Sequence, residues 1–325
     1  MYKAKLTGTG AYLPLKVLTN KDLESVVETS DEWIVSRSGI RERRIAAEDE
    51  ATSDLAYHAS VQALADAGVS PEELDAIIVA TITPDMVFPA TACLVQARLG
   101  ATNAAAFDVS AACTGFIYAL QVARQGVIAG DWKHVLVVGA ESLSRIIDWQ
   151  DRNTCVLFGD GAGAAVLSRS LTGGQIVSGV HLGADGNGAN VLLLPAGGSR
   201  RPADTITVAE RQHYIQMNGQ EVYKFAVRIV EEAGGRLLDK MGLSFSDVDF
   251  VVPHQANLRI IESFAKRLKL PMAKVAVNLD YCGNMSSASV PVALHQFKHS
   301  FEDKDRILLV GFGGGLTWGA ALLEW

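Results

Sequence analysis

SPEELDAIIVATITPD at 70–85 and FSDVDFVVPHQAN at 245–257 share one grammar: a polar turn, an acid, then a short apolar run. Asp75 matches Asp249 at an offset of 174, and HVLVVGAE (134–141) matches RILLVGFG (306–313) at an offset of 172. Two pairs at nearly one spacing read as an internal duplication. An amphipathic helical pattern precedes the first run of each half. It covers Ser53–Ala67, with Leu55, Val61 and Leu64 on one side, and Glu221–Met241. Short Val/Ile/Leu runs alternating with helices predict βαβ units and mostly parallel sheets covered on both faces. The chain therefore reads as α/β, built from two duplicated halves, 1–172 and 173–325, that meet where SRSLTGG breaks the pattern. Ligands of such folds sit at the carboxyl ends of strands, so the chemistry is sought just after each apolar run.

Lys plus Arg number 29 against 36 Asp plus Glu, a net charge of −7, with 49% hydrophobic and 20% charged residues. That composition fills a core and excludes a disordered or fibrous chain. The negative balance argues against a general nucleic-acid or anionic-membrane binder. The longest uncharged stretches, 281–297 and 307–323, are rich in Ser and Asn or in Gly. Neither matches the roughly 20 apolar residues of a membrane span. MYKAKLTGTGAYLP at the N-terminus shows no apolar signal core and no Arg-rich amphipathic pattern. Cys93, Cys113, Cys155 and Cys282 form no CxxC pair and no zinc spacing. The expectation is a soluble, cytoplasmic protein of a reducing compartment, with no metal site.

Cys113 follows AAAFDVSAA and precedes a stripe of Phe116, Ala119, Leu120, Ala123 and Val127, with Gly130 as a stop. That puts it at a strand-to-helix junction, where unpaired N–H groups and the helix dipole favour a thiolate and can hold an oxyanion. The alternative is a small buried cysteine at a tight crossover. Cys93, in a helix, and Cys155, in the strand-like NTCVLFG, lack such a position, and Cys282 is not on a helix start. His254 follows DFVVP at a strand end. Asn284 lies in CGNMSSASVP, after AKVAVNLD and before a helix at Val290–Phe297. Taken alone, these are a satisfied polar histidine and ordinary turn chemistry. Taken together, Cys113 from one half and His254 and Asn284 from the other would converge where the halves face each other. GFGGGLTWG (311–319) could bring a backbone N–H to the same place. GDGAGAAVL (159–167) fits neither glycine-rich phosphate-loop pattern.

DVSAACTGF (108–116), VPHQANLRII (252–261), GNMSSASVP (283–291), TSDEWIVSRSGIRER (29–43) and the ending GFGGGLTWGAALLEW resemble the β-ketoacyl-acyl carrier protein synthase III family. The resemblance runs essentially end to end. It implies a thiolase-type fold of five layers, αβαβα, and a homodimer. It makes Cys113 the nucleophile that accepts an acyl group from acyl-CoA, and His254 and Asn284 the donors for decarboxylative condensation with malonyl-acyl carrier protein. Gly314 would join Cys113 in an oxyanion hole. Trp33 and Arg152 would sandwich the CoA adenine, Thr29, Arg37, Gly219 and Asn257 would contact the rest of CoA, and Phe88 would reach across the dimer into the partner's acyl pocket. No metal or redox cofactor is implied; acyl-CoA is a substrate.

The carrier protein of this family is strongly acidic, so docking needs a local basic surface. Between 254 and 274, Arg259, Lys266, Arg267, Lys269 and Lys274 stand against Glu262 alone. Read as a helix, Leu258, Ile261, Phe264, Ala265 and Leu268 share one face, leaving Arg259, Lys266 and Arg267 for solvent. Three rivals remain. A thiolase would need a second active-site cysteine, which GFGGGLTWG lacks. An acyl-thioester hydrolase or related condensing enzyme would differ in product, and a non-catalytic acyl-binding protein would have no need of Cys113.

Overall fold

A computed structural model describes residues 2–325. Nine strands form the main sheet: β1 (Lys3–Tyr12), β2 (Ala76–Ala80), β3 (Ala105–Val109), β4 (His134–Glu141), β5 (Gly161–Ser170), β6 (Ile176–Ala184), β7 (Phe250–Pro253), β8 (Arg306–Gly313) and β9 (Thr317–Glu324). Their order is β7-β8-β9-β6-β1-β5-β4-β2-β3. In the first arm β1 pairs antiparallel with β5 and β5 with β4, while β4 pairs parallel with β2 and β2 with β3. The second arm repeats these senses: β6 with β9 and β9 with β8 antiparallel, β8 with β7 parallel. Val275 bridges Val251 in parallel, in the place β3 takes beside β2. The arms join through one pairing, Lys5 with Ile176.

The sheet is accompanied by helices α1 (Asp31–Ser38), α2 (Thr52–Ala67), α3 (Thr91–Leu99), α4 (Gly115–Ala129), α5 (Gly219–Lys240), α6 (Leu258–Arg267) and α7 (Ser289–Phe297), of which all but α1 cover its arms. The period of two along each strand decides the layering. Ile77 and Val79 of β2 pack with Leu55 and Ala59 of α2 and Val95 of α3. The alternate residues Ala76 and Ile78 pack with Phe116 and Leu120 of α4. In the second arm, Leu308 and Val310 of β8 pack with Ile229 of α5 and Phe264 of α6. Ile307 and Leu309 turn inward to the cluster that holds α4 together with Val290 and Leu294 of α7. The result is α2/α3, sheet, α4/α7, sheet, α5/α6, the five αβαβα layers. Strands buried on both faces explain the continuous Val/Ile/Leu runs, each such side chain contributing about 1.5–3 kcal/mol.

Local chemistry shifts several element ends from their expected places. α5 begins at Gly219 because Asn218 caps it, accepting from the Glu221 N–H. The stop at Gly130 is as expected, with φ +91°. NTCVLFG is not a strand. Arg152–Cys155 is one helical turn, because Asp151 caps it from the Asn153 N–H and overrides the apolar run. Among the described residues, no helix is long and apolar enough to cross a membrane.

Candidate active site

Cys113, His254, Asn284 and Gly313 line one cavity of about 990 Å³. Cys113 lies shortly after β3, His254 directly after β7 and Gly313 at the end of β8, while Asn284 follows the helical turn Leu279–Cys282 and bridges Phe158 in parallel. Cys113 sits in a 3₁₀ turn, Ala112–Thr114, before α4, and Ser286–Ala288 forms the matching turn before α7. Ala112 (φ +46°) and Ser286 (φ +45°) both occupy the left-handed region, each at a cost of about 1–3 kcal/mol. Thr114 Oγ1 holds the first turn by donating to Ala111 O at 2.7 Å.

The electrostatics of Cys113 differ from the expectation of a thiolate. The side chain is 7% exposed, and burial pushes the thiol up to about 12. The helix start is one short turn away and does not offset the loss of water, so the resting group is a thiol. His254 is the converse case: burial holds its imidazole down at about 3, so the ring is neutral. Its Nδ1 is buried without a partner, and the ring packs edge-on against Phe312 at 5.5 Å. Asn284 Oδ1 accepts the Ser286 N–H at 2.9 Å, which fixes the amide orientation and leaves Nδ2 for the cavity. Two neutral N–H donors therefore face a site with a cysteine at its floor.

Within the glycine turn GFGGGLTWG, the structure brings Gly313 against Cys113. A Cβ on Gly313 would lie 2.7 Å from Cys113 N and 3.0 Å from its Cβ, so only glycine lets β8 approach Cys113. Gly314, expected as the oxyanion donor, lies one residue further on, where a Cβ would meet Leu192 O at 3.1 Å and Ala112 Cβ at 3.7 Å. Other lining residues, such as Leu192 and Met217, come from an irregular stretch with no periodicity to read.

Trp33 and Arg37 line the same cavity, and the Arg152 guanidinium lies 4.8 Å from the Trp33 ring centre. Asn257 and Gly219 line it too. Asn257 caps α6, accepting from the Arg259 N–H, and its Nδ2 donates to Arg37 O at 2.9 Å. Thr29 is not in the lining, and its Oγ1 is buried without a partner. Phe88 is 82% exposed beside Val87 and Met86, outside this cavity. Arg259, at the start of α6, lines the mouth, whereas Arg267 pairs with Glu231 at 2.7 Å. Lys266 is exposed on the same helix. Ile260 joins Ile261, Phe264 and Ala265 on the buried face of α6, with Leu258 half-buried.

Residues 107–186 match the family described as 3-oxoacyl-[acyl-carrier-protein (ACP)] synthase III, and residues 238–325 match its C-terminal part. A β-ketoacyl-[acyl-carrier-protein] synthase III of Caldanaerobacter subterraneus subsp. tengcongensis is 57% identical, over 99% of this chain and 98% of its own. One of Desulfitobacterium hafniense is 55% identical over 100% and 98%. The crystal structure of 3-oxoacyl-[acyl-carrier-protein] synthase III from Aquifex aeolicus superposes with a TM-score of 0.91 at 49% identity, covering 99% of this chain and 100% of its own. With this identity spanning both arms and the whole crevice between them, the chain belongs to the β-ketoacyl-acyl carrier protein synthase III family, the thiolase-fold condensing acyltransferases of fatty-acid biosynthesis.

Proposed function

We propose that Cys113 takes the acyl group of acyl-CoA and that His254 and Asn284 then drive decarboxylative condensation with malonyl-acyl carrier protein. The observation that carries this reading is the meeting of a cysteine with two neutral N–H donors in one cavity. Attack of the Cys113 sulfur on the thioester carbonyl forms the S–C bond, while backbone N–H groups of Cys113 and the Gly313–Gly314 turn hold the oxyanion. The C–S bond to CoA breaks, and the thiol proton ends on the CoA sulfur. Malonyl thioester then loses CO₂, and the electron pair of the broken C–C bond becomes an enolate. Neutral His254 and Asn284 can donate to its oxygen, where a carboxylate would repel it. The enolate carbon attacks the acyl-enzyme carbonyl, the C–S bond to Cys113 breaks, and the sulfur takes a proton from solvent to regain its thiol, leaving a β-ketoacyl thioester. Every step exchanges a thioester or loses CO₂, so the electron count needs no redox cofactor. Product analysis tests the reading: a β-ketoacyl-carrier protein longer by two carbons supports it, and free fatty acid as the sole product overturns it.

The CoA nucleotide is assigned to Trp33 with Arg152 and Arg37, a flat ring flanked by guanidinium groups at 4.8 and 5.9 Å. Trp33→Ala should raise KM for acyl-CoA about five- to thirtyfold with little change in kcat, the pattern of uniform binding. An equal loss with a short acyl-pantetheine, which has no nucleotide, would contradict the assignment. Phe88 is assigned to the acyl pocket of a second copy in a homodimer, acting in the cytoplasm.

Carrier-protein docking is assigned to the exposed face of α6. The overall charge of −7 opposes an acidic partner, so a local cationic surface must supply the steering. Arg259 and Lys266 are the exposed cations there, Arg267 being engaged with Glu231. Arg259→Glu and Lys266→Glu should slow association with malonyl-carrier protein and flatten its salt dependence, with the acyl-CoA half-reaction near normal. Unchanged KM for the carrier-protein substrate at low salt in both variants would sink the assignment.

A further inference from the structure

The duplication gives the catalytic crevice an image in the first arm. Ser287 stands before α7 as Cys113 stands before α4, at an offset of 174, each one residue past a left-handed neighbour. Gly139 and Glu141 of β4 correspond to Gly311 and Gly313 of β8 at an offset of 172. A Cβ on Gly139 would meet Ser287 O at 2.3 Å, and one on Gly311 would meet Cys113 O at 3.6 Å, so each strand faces the matching turn, more tightly in the first arm. At the offset of 174, Ala80 at the end of β2 takes the place of His254 after β7. Where the crevice has Gly313 and open space, its image has the carboxyl of Glu141.

Glu141 is fully buried. Its Oε2 accepts from Thr83 Oγ1 at 2.8 Å, the Ile82 N–H at 3.1 Å and Thr81 Oγ1 at 3.2 Å. Its Oε1 lies 2.8 Å from Ser287 Oγ, which is also 2.8 Å from the Ala80 carbonyl oxygen. A hydroxyl has one proton and a carbonyl only accepts. Both contacts are satisfied when Ser287 donates to Ala80 and the carboxyl donates to Ser287. Among the described residues no cation pairs with Glu141. The groups facing it are the hydroxyls of Thr81, Thr83, Ser286 and Ser287, the N–H groups of Ile82 and Ser287 (the latter 3.4 Å from Oε1) and, as the titratable neighbour, the Cys113 thiol. An unpaired carboxylate in this place is costly, and burial pushes the group above the usual carboxylate range.

We infer that Glu141 is a positioning residue for condensation: as a neutral, protonated carboxyl it fills the image of the crevice and fixes Ser287. Through the short Asn284–Ser287 turn, it also fixes the donor Asn284. The inference rests on the role given to Asn284 above. An ionised Glu141 would instead set a negative charge behind both the Cys113 sulfur and the enolate, opposing each step.

Glu141→Gln reproduces the protonated form, its amide oxygen accepting at the Oε2 position and its NH₂ donating to Ser287. It should keep condensation within about threefold of wild type, whereas Glu141→Met should lower kcat at least about tenfold with KM for acyl-CoA little changed. Should the Met variant fail to fold, the Gln variant decides through two readouts that need no turnover. The infrared difference between wild type and Glu141→Gln at pH 7 should contain the carbonyl band of a carboxylic acid. The pH profile of Cys113 alkylation should be the same in both, since no charge is removed. A carboxylate band, faster alkylation of Glu141→Gln at pH 7, or a loss above about tenfold in that variant overturns the inference. The infrared and alkylation results stand whether or not Asn284 has its assigned role, so the two failures are distinguishable.

Discussion

Cys113→Ala is expected to abolish the covalent acyl-enzyme and to lower condensation by about four to six orders of magnitude, the scale of losing a nucleophile. The side chain is small and almost fully buried, so the variant should fold. Intact-mass measurement after mixing with acyl-CoA should show one acyl adduct on the wild type and none on the variant. Decarboxylation of malonyl thioester should persist within about tenfold, because the donors are untouched. A variant that still accumulates an adduct would place the nucleophile elsewhere. The same substitution has a pH signature. Burial raises the folded thiol to about 12, above the unfolded value of about 8.5, so its contribution to stability is complete below that unfolded value and is lost as pH rises towards 12. Cys113→Ala should therefore lose less stability between pH 8.5 and 10 than the wild type does.

The architecture was legible because it is written twice. Runs buried on both faces give the same signal in each half, and the offsets of 174 and 172 reappear as β2/β7 and β4/β8 with matching pairing senses. The strand ends then gave the location of Cys113, His254 and Asn284, since parallel strands set ligands at that edge. What was not legible depends on burial rather than on order. Position alone predicts a thiolate at Cys113, but the water lost there outweighs the helix start. Gly313 is one glycine among several in its turn, and only the 2.7 Å approach to Cys113 N distinguishes it. Cys155 carries a strand-like neighbourhood that a single aspartate cap overrules.

Asn284→Asp is the most discriminating change at the site. The Ser286 N–H fixes one oxygen of residue 284 at 2.9 Å, so the aspartate would turn its second oxygen into the cavity in place of Nδ2. That replaces a donor to the enolate with a charge that repels both the malonyl carboxylate and the enolate. Decarboxylation and condensation should fall about 10²- to 10³-fold, the loss from removing one oxyanion donor, while the burst of acyl-enzyme from acyl-CoA remains. The pH dependence separates charge from shape. An Asp at this buried position regains a donor when it binds a proton, so the variant should recover activity as pH falls. The wild type should show no such rise, because His254, held down at about 3, stays neutral across the working range. The depressed His254 also sets a structural limit: its contribution to stability is present above the unfolded value of about 6.5 and is lost as pH falls towards 3, so the recovery must be read above pH 5 or so. A variant that condenses at the wild-type rate, or whose loss is the same at every pH, would show that Asn284 does not serve the enolate.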